Sequence, residues 1–329
     1  MVFCDSLRRS LLPSVAVLAL LLSPLAAQGP GYPGPSSTGG YQPPAPNRYA
    51  PAPVPNRYSP PAPGGYGTAV RGPRAPQRVA QQPRRPAPAG VQLRAARPGE
   101  HPLMPAIDLA RAGLARIEQV PGYSAVLVKR ELIGEKLADT EYMFLKIRHK
   151  PFSVYMYFLG PEKLKGQEVI YVEGQNDGNM WAHSTGLESM FGTVSIAPNS
   201  WIAMRGQRYP TTEIGILTLT RRLIELAAKD AKYGECKVNV YRGAKINNRL
   251  CTCIEVIHPV PRSNFHFHLA RIFVDDELVV PVRYVAYDWP KKPGDPPALM
   301  EEYTYLNLNL NCRFTDADFD PKNPNYRFP

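Results

Sequence analysis

The stretch Phe265–Asp288, FHFHLARIFVDDELVVPVRYVAYD, limits most tightly what this chain can fold into. Two runs rich in β-branched and aromatic residues flank a short acidic turn, Asp275-Asp276-Glu277, a pattern that specifies a β-hairpin. Alternation in the first run places Phe265, Phe267, Leu269 and Phe273 on one face. His266, His268, Ala270, Ile272 and Val274 fall on the other. Pro281 has no N–H for a ladder, so the second run meets it at an edge or a bulge. A lone hairpin is marginal in water, and the chain must therefore supply a larger antiparallel sheet.

Further strands are expected at Tyr123–Leu132, Thr140–Arg148, Phe152–Leu159, Gln167–Glu173, Asn179–His183, Cys236–Val240, Arg249–Ile257 and Leu299–Asn311. Apolar residues at helical spacing predict one helix through Ile107, Ala110, Leu114 and Ile117, stopped by Pro121-Gly122. A second spans Gly215–Lys232, with Ile216, Leu219, Leu223, Leu226 and Ala227 as its apolar stripe. Residues 186–210 show no regular pattern. The fold class is α+β: a strongly curved antiparallel sheet, a half-barrel, with helices on its concave side.

The N-terminal part differs in kind. Arg8 and Arg9, the apolar run Leu11–Leu22 and Leu25-Ala26-Ala27 have the pattern of a secretory signal peptide over 1–27. Residues 28–100 hold 18 of the 37 prolines, nine arginines and one acid, with Pro-Asn-Arg-Tyr repeated at 46–49 and 55–58. That composition reads as a disordered Pro/Tyr/Arg-rich arm leading to a domain over 101–329. The net charge of +11 is concentrated there, since from His101 onward 28 basic residues face 26 acids. A basic flexible arm suits an anionic envelope polymer or membrane surface better than a specific nucleic acid. The expected location is exported, in the periplasm or cell envelope.

Four cysteines remain after signal removal: Cys236, Cys251, Cys253 and Cys312. In an exported chain the even count permits two disulfides, with buried free thiols as the rival reading. Cys236 and the Cys251/Cys253 pair fall on two runs that read as a hairpin, which points to a cross-strand bridge. Cys-x-Cys is too tight for zinc-ligand spacing.

Several blocks resemble one family. Lys150–Met156 (KPFSVYM), Gly166–Val169 (GQEV), Val274–Glu277 (VDDE), Leu299–Tyr305 (LMEEYTY) and the closing Asp316–Tyr326 are similar to a secreted planctomycete family known as domain-of-unknown-function family 1571. The resemblance covers about 106–328 and implies no activity. More distantly, the strand–turn–strand with Pro281, set between a helix and a final strand, resembles the periplasmic lipoprotein carriers of the LolA and LolB type. That likeness implies a half-barrel with helical lids that holds acyl chains, without assigning any single contact residue.

Catalytic motifs are missing from the sequence: there is no Gly-x-Ser-x-Gly, no His-Glu-x-x-His, and Gly160–Gly166 lacks the spacing and lysine of a phosphate loop. The expectation is a non-enzymatic protein without a cofactor. His258, His266 and His268 are the weak metal candidates, because residues two apart on a strand share a face. Asp316, Asp318 and Asp320 imitate half a calcium loop, but Pro321 stands where the turn needs glycine and Arg327 where it needs glutamate. The candidate binding surface is apolar: Met143, Leu145 and Ile147 on one strand, Val154, Met156 and Phe158 on the next. These either line an acyl-binding cavity or fill a packed core. The leading function is therefore binding of a lipid or lipoprotein acyl group. The alternative is a structural or sensory envelope protein that holds a protein or polysaccharide through its arm.

Overall fold

A computed structural model describes residues 91–328, apart from 187–189, Phe191 and Pro293. The signal-peptide reading of 1–27 and the arm reading of 28–90 lie outside the described residues. Residues 91–100, grouped with the arm on composition, are folded. Val91 is buried, its N–H donates to Asp276 Oδ1 at 3.2 Å, and Arg94 pairs with Glu100 at 2.6 Å.

Helix α1 is Met104–Ile117, and the strands that follow it are β1 (Gly122–Ile133), β2 (Lys136–Leu137), β3 (Glu141–His149), β4 (Phe152–Gly160), β5 (Glu168–Val172), β6 (Met180–His183) and β7 (Thr193–Ile196). Helix α2 is Ile216–Asp230, followed by β8 (Lys237–Ile246), β9 (Arg249–Ile257), β10 (Leu269–Asp275), β11 (Pro281–Tyr287) and β12 (Leu299–Asn309). They form one open, wholly antiparallel sheet in the order β7-β6-β5-β4-β3-β1-β12-β11-β10-β9-β8, with β2 paired to the end of β1. Register shifts interrupt five of its ladders, among them Phe273/Val274 opposite Pro281 and Tyr241/Ala244 in β8. Each bulge adds a bend and extra twist, which curves a sheet of this width. Pro281 sits in an interior strand, tolerated because the bulge falls there.

Both helices cover the same face. Leu103 and Ile107 pack with Ile254, Val256, Ala270 and Val274, joined by Leu219, Leu223 and Ala227 of α2. Gly113 is the close-approach point: a Cβ there would stand 2.4 Å from the carbonyl oxygen of Val279, in the β10–β11 turn. The N-terminus of α2 is held from the sheet, since the phenol oxygen of Tyr123 accepts the N–H of Ile216 at 2.7 Å. This contact satisfies one of the donors a helix start leaves open. On the opposite face the C-terminal tail covers β3–β5. Phe319 is buried against Ile170 and Val172, Tyr326 stacks on Tyr155 at 4.1 Å, and Lys146 binds Asp318 at 2.9 Å.

Three expectations are corrected here. The alternation proposed for Phe265–Phe273 breaks, because β10 starts only at Leu269. Phe267 packs with Ala270 on the helix side, while Phe273 faces the other way. The irregular stretch after Gly186 contains β7, and β8 runs on to Ile246, beyond the expected end at Val240. The turn to β9 is Asn247-Asn248, both at positive φ as a tight hairpin turn requires. All four cysteines are free. Cys253 lies opposite Tyr241 and Cys251 opposite Ala244, whereas Cys236 precedes Lys237, the partner of Ile257. Cys236 is thus rungs away from Cys251 and Cys253 and on the other face, and no bridge spans that. Burial pushes Cys236, Cys251 and Cys253 each up to about 12, which makes them unreactive.

Candidate functional site

The register places the site. Tyr305, Leu127, Met143 and Phe158 form one row across β12, β1, β3 and β4. Toward the N-terminal end of β1, Ala125, Leu145, Met156 and Val169 form the next row, and Tyr123, Ile147 and Val154 the one after. In the opposite direction the row becomes polar: Tyr303, Lys129 and Glu141, then Glu131 beside Glu301. One sheet face therefore grades from wholly apolar to charged within a few residues of strand.

A cavity of about 170 Å³ sits on this gradient, roofed by residues 203–215 and the start of α2. Met143, Met156 and Phe158 line it, as do Leu127, Val169 and Met180. Of the six residues proposed from sequence, these three reach the space. Leu145, Ile147 and Val154 are also buried, but they are sealed in the core beneath Gly215 and Ile216.

The polar end is built from charges, most of them buried, that pair with one another. Lys129 lies 3.1 Å from Glu141 and 3.5 Å from Glu131, and it also donates to Gln207 of the roof. Glu131 accepts the Tyr303 hydroxyl and, at 3.2 Å, the N–H of Arg208. Glu301 accepts the Tyr209 hydroxyl at 2.8 Å and pairs with Arg208 at 3.0 Å. Arg222 of α2 lies over the Tyr209 ring at 4.0 Å and pairs with Glu213. Burial, with Glu301 close by, pushes the Tyr209 phenol up to about 12 and Tyr303 higher still. Both phenols are therefore fixed donors at neutral pH. The roof is tied to the sheet through Gln207, Arg208 and Tyr209. The polar residues were missed in sequence although two signalled themselves: Lys129 and Glu131 share the alternation of Ala125 and Leu127, and charges on an apolar strand face need partners.

The histidines do not converge. His266 and His268 precede β10, so the two-residue strand rule does not apply to them. His266 is exposed, whereas the Nδ1 of His268 meets the His258 carbonyl at 2.9 Å. His258 is fully buried, stacked on Phe265 at 4.0 Å, with Nδ1 3.0 Å from the Phe267 carbonyl. Among the described residues no group of three His, Cys, Asp or Glu side chains is placed to hold a metal. The carboxylates at 316–320 are structural: Asp318 caps the Thr315 N–H at 2.9 Å, and Asp316 binds Arg148 at 2.7 Å. Glu301 and Glu302 part company, the latter pairing with Arg283 at 2.7 Å.

Sheet, helices and roof define an α+β protein with an open antiparallel sheet and one helix-covered face that carries an amphipathic cavity. Residues 120–328 match the family described as Protein of unknown function (DUF1571), and the chain belongs to that family. No curated protein matches it. Among solved structures it is similar to a putative outer membrane lipoprotein-sorting protein domain from Vibrio parahaemolyticus, at 12% identity and a TM-score of 0.32, over 65% of this chain and 95% of that one. The lipoprotein LppX of Mycobacterium tuberculosis is similar at 12% identity and a TM-score of 0.38, over 64% and 100%. The MucA/MucB complex of Pseudomonas aeruginosa is similar at 12% identity and 0.37, over 65% of this chain and 60% of that one. At these values the likenesses assign neither ligand nor activity to this chain.

Proposed function

We propose that this is an exported envelope protein that binds a lipid or lipoprotein acyl group without catalysing a reaction. The observation that supports this reading is the graded cavity: Met143, Met156 and Phe158 suit a flexible acyl chain, while Lys129, Gln207 and Tyr209 stand at the end where a polar headgroup would lie. Methionine adapts its shape to such a guest. A cavity of about 150 Å³ accepts a benzene-sized guest, so the space of about 170 Å³ takes only part of an acyl chain. Binding a whole chain requires the 203–215 roof to move outward, and its polar ties to Lys129, Glu131 and Glu301 are the contacts that would open. Among the described residues no helix is long and apolar enough to cross a membrane.

Native mass spectrometry with lipid extraction tests the reading on the full chain, expressed with export. The expected result is one lipid per chain, lost in Met156→Trp, where the indole fills the cavity. A protein that is empty after gentle purification and takes up no acyl chain from vesicles overturns the proposal, and favours the reading in which the arm holds a protein or polysaccharide.

A further inference from the structure

We propose that the cleft between α1, α2 and the β9–β10 face is a second binding site, for an alkyl chain that ends in a hydrogen-bond donor, best an ammonium. This space of about 80 Å³ is distinct from the graded cavity and is lined by Ile107 and Ala110 of α1, Leu223 and Ala227 of α2, and Ile254 and Ala270 of the sheet. Its lining carries two polar side chains, Thr220 and Asp230. The Thr220 hydroxyl is already donated to the Ile216 carbonyl at 2.7 Å. Asp230, in the last turn of α2, is 2% exposed, and its Oδ1 has no hydrogen-bond partner. A buried carboxylate oxygen without a donor is rare and costly.

The imidazole beside it supplies an acceptor instead of a donor. The other oxygen, Oδ2, lies 3.4 Å from His258 Nε2, an atom that also makes no hydrogen bond. His258 Nδ1 faces the Phe267 carbonyl, so in the neutral ring Nδ1 carries the proton and Nε2 is a lone pair. If Asp230 shares a proton with Nε2, Oδ1 is still an acceptor without a donor. A primary ammonium brings three N–H groups and a compensating charge, while its alkyl tail meets only aliphatic walls. A carboxylate head would meet another carboxylate and be rejected. An alkyl end of a few carbons fits the space as it stands, and a longer tail parts α1 from α2.

Titration calorimetry on the full chain at pH 7.5 with hexylamine, hexanol and hexanoate tests this. Hexylamine should bind one to one, at least tenfold tighter than hexanoate, with hexanol between them. Asp230→Asn should weaken hexylamine at least tenfold and erase its preference over hexanoate. Ala227→Phe, which fills the cleft and keeps Asp230, should abolish hexylamine binding there and leave any uptake of hexanoate by the graded cavity unchanged. The proposal is overturned if no probe binds, if hexylamine and hexanoate bind alike, or if folded Asp230→Asn, verified by circular dichroism, binds hexylamine as the parent does.

Discussion

Two aspartates with opposite electrostatics frame the chemistry of this protein. Asp275 is fully buried at the β10–β11 turn, where burial alone would raise it. Arg249 and the N–H groups of Leu278 and Glu277 outweigh that, and hold its carboxyl below the usual range. A lowered folded value means stability that is present above the unfolded range near 4 and lost on acidification. Asp275→Asn is expected to cost about 1–3 kcal/mol at pH 7 by urea titration, with the difference shrinking as the pH falls below 4. Asp230 is the reverse, because burial raises it to about 6. Its contribution is favourable below the unfolded value and is lost as the pH climbs through 6. Asp230→Asn should therefore stabilise the free protein by roughly 2 kcal/mol at pH 7.5 and by nothing at pH 3.5, measured by thermal melts. An Asp230→Asn variant less stable at pH 7.5 would show that the carboxylate has a partner after all. In the sequence the two residues look alike, each an acid at the end of an apolar run. Arg249 and the backbone N–H groups around Asp275, which have no counterpart at the buried Asp230, set them apart.

At the scale of elements, both helices were legible because their apolar spacing has one period, and α1 has a clear stop at Pro121-Gly122. What the pattern does not carry is how they are held. Tyr123, read as the start of a strand, caps α2 from across the fold. Tyr123→Phe removes the hydrogen bond that the buried Ile216 N–H makes to the phenol oxygen, and should cost about 1–3 kcal/mol in chemical denaturation. Gly113 inside α1 would ordinarily gain from replacement by alanine. Here a Cβ meets the Val279 carbonyl, so Gly113→Ala should instead lower the midpoint of thermal unfolding, by about 1–3 kcal/mol of overpacking. The strand faces failed to be legible where parity slips. Phe265–His268 is extended-looking sequence outside any strand, and a bulge at Tyr241/Ala244 carries β8 past Gly243. A bulge costs one residue and leaves no composition signature, so alternation read through it assigns side chains to the wrong face.

For the whole molecule, the folded region begins earlier than composition suggests, with Val91 and Arg94 tied to Asp276 and Glu100. A chain starting at Gln92 or later loses the Val91 contact, and one starting at His101 also loses the Arg94–Glu100 pair. The His101 truncation should melt several degrees below one starting at Val91, by about 2 kcal/mol for the lost burial. Equal melting points would show that the segment adds nothing. From the order of residues alone came the α+β class, an antiparallel sheet, two helices on one face and an apolar surface at Met143–Phe158, because period, turn residues and β-branching are local properties. Which of those six side chains face a cavity, that Lys129 and Glu131 meet Gln207 and Tyr303, that the cysteines stand rungs apart and that Asp230 is buried without a donor were decided by tertiary structure. Each depends on register between strands far apart in the chain and on what the 203–215 roof brings down over them, and no local pattern encodes those distances.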